Sequence, residues 1–362
     1  MYSVEDFIQR VEASDGLVCY GTGKRFRTFL ECFQGMSVLD KVIFCVDQNE
    51  ELQGTNIQIN NRFINIQPIA SINKIRGKNN VLLITNLYYD DVLSDLAEKG
   101  LLQAIEYYCF THLHGMLLED KAMEKELPKD CRITKDAVIP KIIHYCWFGH
   151  NTIPDKYKQW MESWHKYCPD YEIREWNEDN YDITKNAYMY EAYQNRKWGF
   201  VPDYARLDII YEYGGIYLDT DVELVQNLDD LLYQEGFAGF ERETAVAFGL
   251  GFGAVKGLPM IKEMRDAYDT LRFANPDGSV NLTASPEYQT NFLLTKGLQL
   301  NGEYQRIGDL TIYPEKMFSG KCPYTRRIRL KPYTKSIHHY DASWTDDAWR
   351  RRNERFEAEM NS

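Results

Sequence analysis

Two carboxylates stand two residues apart, Asp219 and Asp221, in the run Gly214-Gly215-Ile216-Tyr217-Leu218-Asp219-Thr220-Asp221-Val222-Glu223. As an extended strand, this run sends Tyr217, Asp219, Asp221 and Glu223 to one face and Ile216, Leu218, Thr220 and Val222 to the other. Acids at i and i+2 then sit roughly 6–7 Å apart. They repel unless a cation lies between them, and they are well spaced to grip one divalent ion together with a diphosphate. Two acids on a solvated strand edge are common, so the pair alone identifies nothing.

The elements that must position the pair narrow the choice. Just upstream, residues 201–213 read as a helix with Pro202 in its first turn and the Gly214-Gly215 pair as its stop. Asp203 and Arg206 fall at i, i+3 on one face, next to an apolar stripe of Leu207, Ile210 and Tyr211. As a surface salt bridge the pair contributes little. Beside a bound ion, an acid and a forked guanidinium hydrogen-bond hydroxyl groups.

Three segments in order carry a resemblance: Ile139-Pro140-Lys141-Ile142-Ile143-His144-Tyr145-Cys146-Trp147-Phe148-Gly149; the Asp203/Arg206 helix with Gly-Gly-Ile-Tyr-Leu-Asp-Thr-Asp; and Ile337-His338-His339-Tyr340-Asp341-Ala342-Ser343-Trp344. Together they resemble glycosyltransferase family 32, the Asp-x-Asp sugar-nucleotide transferases of GT-A type, in its bacterial polysaccharide biosynthesis form. The spacing is also distantly similar to that of the large clostridial toxin glucosyltransferases. The resemblance covers roughly the C-terminal two thirds of the chain. It implies that Trp147 stacks on the nucleotide base, as an aromatic platform does for any base. It implies that Asp203 and Arg206 hold donor sugar or ribose hydroxyls, that Tyr217 lies near the nucleotide sugar, and that Asp219 and Asp221 hold the metal. His339, five residues before Trp344, is the implied late metal ligand, and Trp344 the indole donor towards the β-phosphate; His338 is left as a core residue. Asp203, Arg206, Asp219 and Asp221 form the implied catalytic set, with retention of the anomeric configuration and no nominated base. Glu241 and Glu243 read as a solvated loop, or else as contacts to sugar or acceptor.

These residue types suit the reaction. Breaking a sugar–phosphate bond leaves a nucleoside diphosphate with growing negative charge, which a divalent cation stabilises without proton transfer. Oxygen ligands with one imidazole fit Mn²⁺ or Mg²⁺, with Mn²⁺ the better match. The expectation is a metal-dependent retaining hexosyltransferase, taking a nucleotide sugar such as a UDP-sugar to an oligosaccharide or lipid-linked glycan acceptor in bacterial surface polysaccharide synthesis, of capsule, lipopolysaccharide or exopolysaccharide. The alternatives are a sugar nucleotidyltransferase on the same two-acid site and a non-catalytic sugar-nucleotide-binding module. The place where a nucleotidyltransferase carries a Gly- and Lys/Arg-rich phosphate loop reads His144-Tyr145-Cys146-Trp147-Phe148-Gly149 here.

A chain of 362 residues is long for one core. The expected organisation is α/β throughout: a smaller Rossmann-like accessory domain at 1–128 and a GT-A type catalytic domain at 129–362, divided near Pro128. In the first part, strands are expected at 16–20, 41–47, 80–85 and 105–110, with a helix at 90–99. Gly21-Thr22-Gly23 and Asp47 partly match a dinucleotide fingerprint, although Phe26 takes the third glycine's position. A net charge of −12 argues against nonspecific nucleic-acid binding. Eight cysteines without a Cys-x-x-Cys pair read as reduced core thiols. With no signal-like N-terminus and no long apolar run, the expected location is the cytoplasm. Two basic groups, Lys321/Arg326/Arg327/Arg329/Lys331 and Arg350/Arg351/Arg352/Arg355, read as solvated surface, or else as a peripheral contact with anionic headgroups on the inner membrane face.

Overall fold

The computed structural model describes residues 3–341 together with Glu354, Glu357 and Ala358. The described residues divide into two compact units, the first running to Asp120 and the second from Lys121 to Ala358.

The first unit is built on six strands: β1 (Gly16–Tyr20), β2 (Val42–Val46), β3 (Asn56–Ile59), β4 (Arg62–Gln67), β5 (Asn80–Ile84) and β6 (Glu106–Cys109), in the order β3-β4-β2-β1-β5-β6. All neighbours are parallel except the β3–β4 hairpin at one edge. The central strands β1 and β5 are buried along their whole length, as a parallel strand covered on both faces must be. Helices α1 (Val4–Glu12), α2 (Lys24–Cys32) and α3 (Tyr89–Glu98) belong to this unit, and α4 (Phe110–Glu124) runs on past its end. Ser3 starts α1 with a capping box: the Asp6 N–H donates to Ser3 Oγ at 3.0 Å and the Ser3 N–H to Asp6 Oδ2 at 2.7 Å. The strands and the helix expected here are found within a residue or two. The β3–β4 hairpin was not foreseen, because Asn60-Asn61 lacks the glycine that usually announces a two-residue turn. Asp47 is already committed: Oδ2 accepts from the Thr22 N–H at 2.8 Å and the Thr22 hydroxyl at 2.7 Å, while Oδ1 accepts from the Asn49 N–H at 3.0 Å. Its role in the structure is to tie two loops together.

The second unit holds β7 (Ile142–Cys146), β8 (Glu172–Trp176), β9 (Gly215–Tyr217), β10 (Val222–Leu224), β11 (Gly236–Arg242), β12 (Ala245–Val246), β13 (Phe252–Ala254), β14 (Gln305–Ile307), β15 (Leu310–Tyr313) and β16 (Ser336–His338). The main sheet is mixed, ordered β14-β15-β11-β13-β9-β7-β8 with β12 on β11; β10 and β16 form a separate antiparallel pair. Helices α5 (Asp155–Tyr167), α6 (Ala187–Gln194), α7 (Pro202–Tyr213), α8 (Pro259–Asp266) and α9 (Ser285–Thr295) complete it. Strand alternation gives the sheet two apolar faces. Ile143, Tyr145 and Ile216 join a cluster with Trp164 of α5. Cys146 and Tyr217 join another with Leu207 and Ile210 of α7 and Met264 of α8.

Helix α7 is buried well beyond the stripe of Leu207, Ile210 and Tyr211. Residues 203–210 are all buried, Asp203, Arg206 and Asp208 included. Asp208 is satisfied by the Tyr181 hydroxyl at 2.8 Å, Lys185 at 2.8 Å and Arg265 at 3.1 Å. The helix stops at Gly214 (φ +68°), where a Cβ would meet the Lys256 nitrogen at 2.8 Å, and Gly215 (φ +104°) would bring one within 2.8 Å of the Ile142 oxygen. Only glycine allows both this backbone and this approach to β7. Among the described residues no helix is long and apolar enough to cross a membrane.

His144, in β7, is fully buried. Its Nδ1 accepts from the Trp176 indole at 3.0 Å and its Nε2 lies 2.9 Å from the Gly214 carbonyl. That pairing requires the neutral ring, and burial pushes its pKa down to about 4. The unfolded chain titrates near 6.5. The native state therefore has this stability in full above about pH 6.5 and loses it as pH falls towards 4, a change on the order of 3 kcal/mol. The melting temperature should fall between pH 7 and pH 4.5, and His144→Asn should flatten that slope; an unchanged slope would show that His144 does not titrate there.

Candidate active site at the end of β9

The acid pair does not lie on a continuous strand. Strand β9 ends at Tyr217, and the Val222 N–H donates to the Asp219 carbonyl at 3.1 Å, closing a tight turn over Asp219–Val222. The expected alternation of Tyr217, Asp219, Asp221 and Glu223 on one face is broken by this turn. The turn brings the two acids together, and it is held in place by the Leu218 N–H on the His144 carbonyl at 3.0 Å and the Asp219 N–H on the Gly249 carbonyl at 3.1 Å.

Strand β16 lies against β10 with His338 opposite Val222. One ligand atom each from Asp219, Asp221 and His338 lies within 4.8 Å of the others, and His338 Nε2 is 3.2 Å from Asp221 Oδ1. Two carboxylates and an imidazole are a donor set that fits Mn²⁺ or Mg²⁺. His339, the expected ligand, points elsewhere. Its Nε2 sits 2.9 Å from Glu223 Oε2 and its ring stacks on Trp160 at 4.0 Å and 10°. Adjacent residues of an extended segment face opposite sides, so the structure brings His338 to the acid pair and not His339, the residue five before Trp344. Trp344 itself lies outside the described residues, as does the basic group Arg350, Arg351, Arg352 and Arg355.

Asp203 and Arg206 are brought to the same place. Arg206 Nη2 donates to Asp203 Oδ1 at 3.0 Å, and its Nη1 lies 3.6 Å from Asp219 Oδ2. Tyr217 is only 1% exposed and lies under the Arg206 guanidinium, 5.2 Å from ring centroid to Cζ, where it supports that cation. Burial pushes Asp203 up to about 7, against the pull of Arg206. Burial also raises Asp219, again opposed by Arg206. For Asp221 burial is outweighed by the charge and hydrogen bond of His338 and by the Asp341 N–H, leaving it at about 2. His338 is raised correspondingly, Asp221 outweighing its burial.

Trp147 follows β7, which pairs with β9, so it emerges at the same end of the sheet as Asp219. It is half-buried, its indole N–H donating to the Asn151 carbonyl at 2.5 Å. Glu241 is the second-last residue of β11 and its charge reaches His338; Glu243 lies in the turn before β12. The first basic group is not free surface. Lys321 and Arg326 are buried; Lys321 pairs with Glu357 at 2.7 Å, and Arg326 donates to the carbonyls of His339 and Tyr340 at 3.2 and 3.0 Å.

Sequence reasoning missed several residues here. Gly249 is one: a Cβ there would lie 2.1 Å from Asp219 Oδ2 and 2.9 Å from Arg206 Nη1. Gly249→Ala should displace the Asp219 carboxylate, costing about 1–3 kcal/mol as an overpacked core does and abolishing metal binding at the site. Calorimetric titration with Mn²⁺ checks this, and wild-type affinity would refute it. Ser285 and Gln289 start α9 one turn apart, and the Ser285 side chain acts to lower the Asp203 carboxyl against its burial. Gln289 accepts from the Phe248 N–H at 2.9 Å, while its Nε2 and the Tyr268 hydroxyl are buried without a partner among the described residues. The available signals were the glycine-rich run 248–253 and a Ser-Pro helix start at 285–286.

Residues 154–238 match the family model described as the glycosyltransferase sugar-binding region containing the DXD motif. Inositol phosphoceramide mannosyltransferase 3 of Schizosaccharomyces pombe is 31% identical over 134 residues, 36% of this chain and 37% of that protein. Mannosyl phosphorylinositol ceramide synthase SUR1 of Saccharomyces cerevisiae is 31% identical over 152 residues, 40% of this chain and 38% of that one. The chain thus spans less than half the length of these relatives. A solved structure, PaToxG glycosyltransferase, is similar over 44% of this chain and 70% of that one at 20% identity, with a TM-score of 0.37. The chain carries a glycosyltransferase DXD region, and Asp219-Thr220-Asp221 lies inside it.

Proposed function

We propose that this protein is a metal-dependent glycosyltransferase that moves a hexose from a nucleoside-diphosphate sugar onto a hydroxyl of a glycan or lipid-linked acceptor. The observation that carries the reading is the meeting of Asp219, Asp221 and His338 beside the buried Asp203–Arg206 pair, within a matched DXD region. Asp219, Asp221 and His338 would hold the ion, which when bound stabilises the departing diphosphate. Arg206 neutralises Asp219 from behind and keeps it oriented. Asp203, with its pKa near 7, and the unpartnered donors of Gln289 and Tyr268 supply hydrogen bonds for sugar hydroxyls. Unpaired buried donors need a partner, and a hydroxyl-rich ligand provides one. Trp147 is assigned the base, and Trp344 the β-phosphate.

The finer reading is a GT-A type enzyme acting with retention, using Mn²⁺, cytoplasmic with peripheral contact at the inner membrane face, in bacterial surface polysaccharide synthesis. The first unit would be an accessory, since every assigned residue lies in the second. A UDP-sugar donor is what the family resemblance suggests. The relatives' names, which state mannosyl transfer to inositol phosphoceramide, support a mannosyl donor and a lipid-linked acceptor instead. Incubation with Mn²⁺ and a panel of UDP-sugars and GDP-mannose, with mass spectrometry of the released nucleoside diphosphate, decides between them. Absence of release with every donor, while Mn²⁺ binds, would overturn the proposal.

A further inference from the structure

We infer that Lys156, Tyr157 and Trp160, on the first two turns of α5, position the 338–341 segment so that His338 and one chosen oxygen of Asp221 face the ion. This rests on the metal-site reading above. Five contacts carry it. Trp160 stacks face to face on His339, and His339 is fixed from the side by Glu223. With its ring clamped outward, His339 leaves its neighbour His338 turned inward, as alternation along an extended segment requires. Lys156 and the Tyr157 hydroxyl both hold the Asp341 carboxylate. Asp341 in turn donates its backbone N–H to Asp221 Oδ2 at 3.0 Å, which occupies that oxygen and leaves Oδ1 towards His338.

Between these anchors the chain turns sharply at Tyr340, which holds a left-handed φ of +54°. A non-glycine residue keeps such a conformation only where its surroundings determine it. Here Arg326 binds its carbonyl, and the Tyr340 hydroxyl pairs with Ser319. The segment that presents the imidazole is thus strained locally and held in shape by side chains that touch neither ion nor donor. Partners behind a ligand commonly govern metal affinity by about 10–100-fold.

The test is Mn²⁺ binding to the full chain without nucleotide, followed by electron paramagnetic resonance of the free ion. Trp160→Leu and Lys156→Met should each weaken binding by about tenfold or more, and Trp160→Phe, which keeps a stacking ring, should stay near wild type. Lys156 is exposed, so its variant keeps the fold. Wild-type affinity in both Trp160→Leu and Lys156→Met, with Asp221→Asn still losing the ion, would overturn this inference and leave the metal site standing. Failure of the unmodified protein to bind Mn²⁺ would overturn both.

Discussion

Asp221→Asn is expected to leave the chain folded and to cut turnover by at least about a hundredfold, the scale of losing one electrostatic partner of developing charge. Asp221 is held as a carboxylate at a pKa of about 2, with His338 and the Asp341 N–H overcoming its burial. The amide keeps the shape and the backbone hydrogen bond but removes the charge that would bind the cation. Nucleoside diphosphate release with varied Mn²⁺ measures the effect. In the same titration His338→Ala should raise the Mn²⁺ concentration for half-maximal rate more than His339→Asn does, because of the two only His338 lies in the group of three ligand atoms. Turnover in Asp221→Asn near the wild-type rate, or full activity in chelator, would remove the acid pair from the chemistry.

Arg206→Met should be the most damaging single change to the fold, by about 3–5 kcal/mol, because it leaves acids buried without their cation. Asp203 and Arg206 have side chains only 4% and 5% exposed, and Asp219 is 3.6 Å from the same guanidinium. The loss should depend on pH in a definite direction. Burial already raises Asp203 to about 7 with Arg206 present. Without the guanidinium its pKa rises further, so the folded variant takes up a proton that the unfolded chain, titrating near 3.9, does not hold. The variant is therefore relatively more stable at pH 5 and loses that advantage as pH rises through 7. Urea unfolding of both proteins at pH 5 and pH 8 checks this. A difference under about 1 kcal/mol at both would mean that water or another group replaces the arginine.

The order of elements and most of the chemistry were legible in the residues themselves. Proline at the start of α7, the Gly214-Gly215 stop and the apolar runs of β1, β5 and β7 are local signals, and local signals suffice for elements whose backbone or burial admits few alternatives. The Asp-x-Asp pair and the Asp203/Arg206 spacing were visible for the same reason, since their partners are near in sequence. What lay beyond reach was set by contacts distant along the chain. The turn at Asp219–Val222 depends on Gly249, 30 positions away from Asp219 by their numbers, supplying a carbonyl and leaving room for a carboxylate. The burial of α7 on every side depends on α6, α8 and the sheet packing around it. The choice of His338 over His339 depends on the β10–β16 register and on Trp160, which takes the other ring. A one-residue shift in an extended segment reverses every side chain. The family resemblance pointed to a histidine near the acid pair, and the register of β16 with the packing against α5 brings His338 there and turns His339 away.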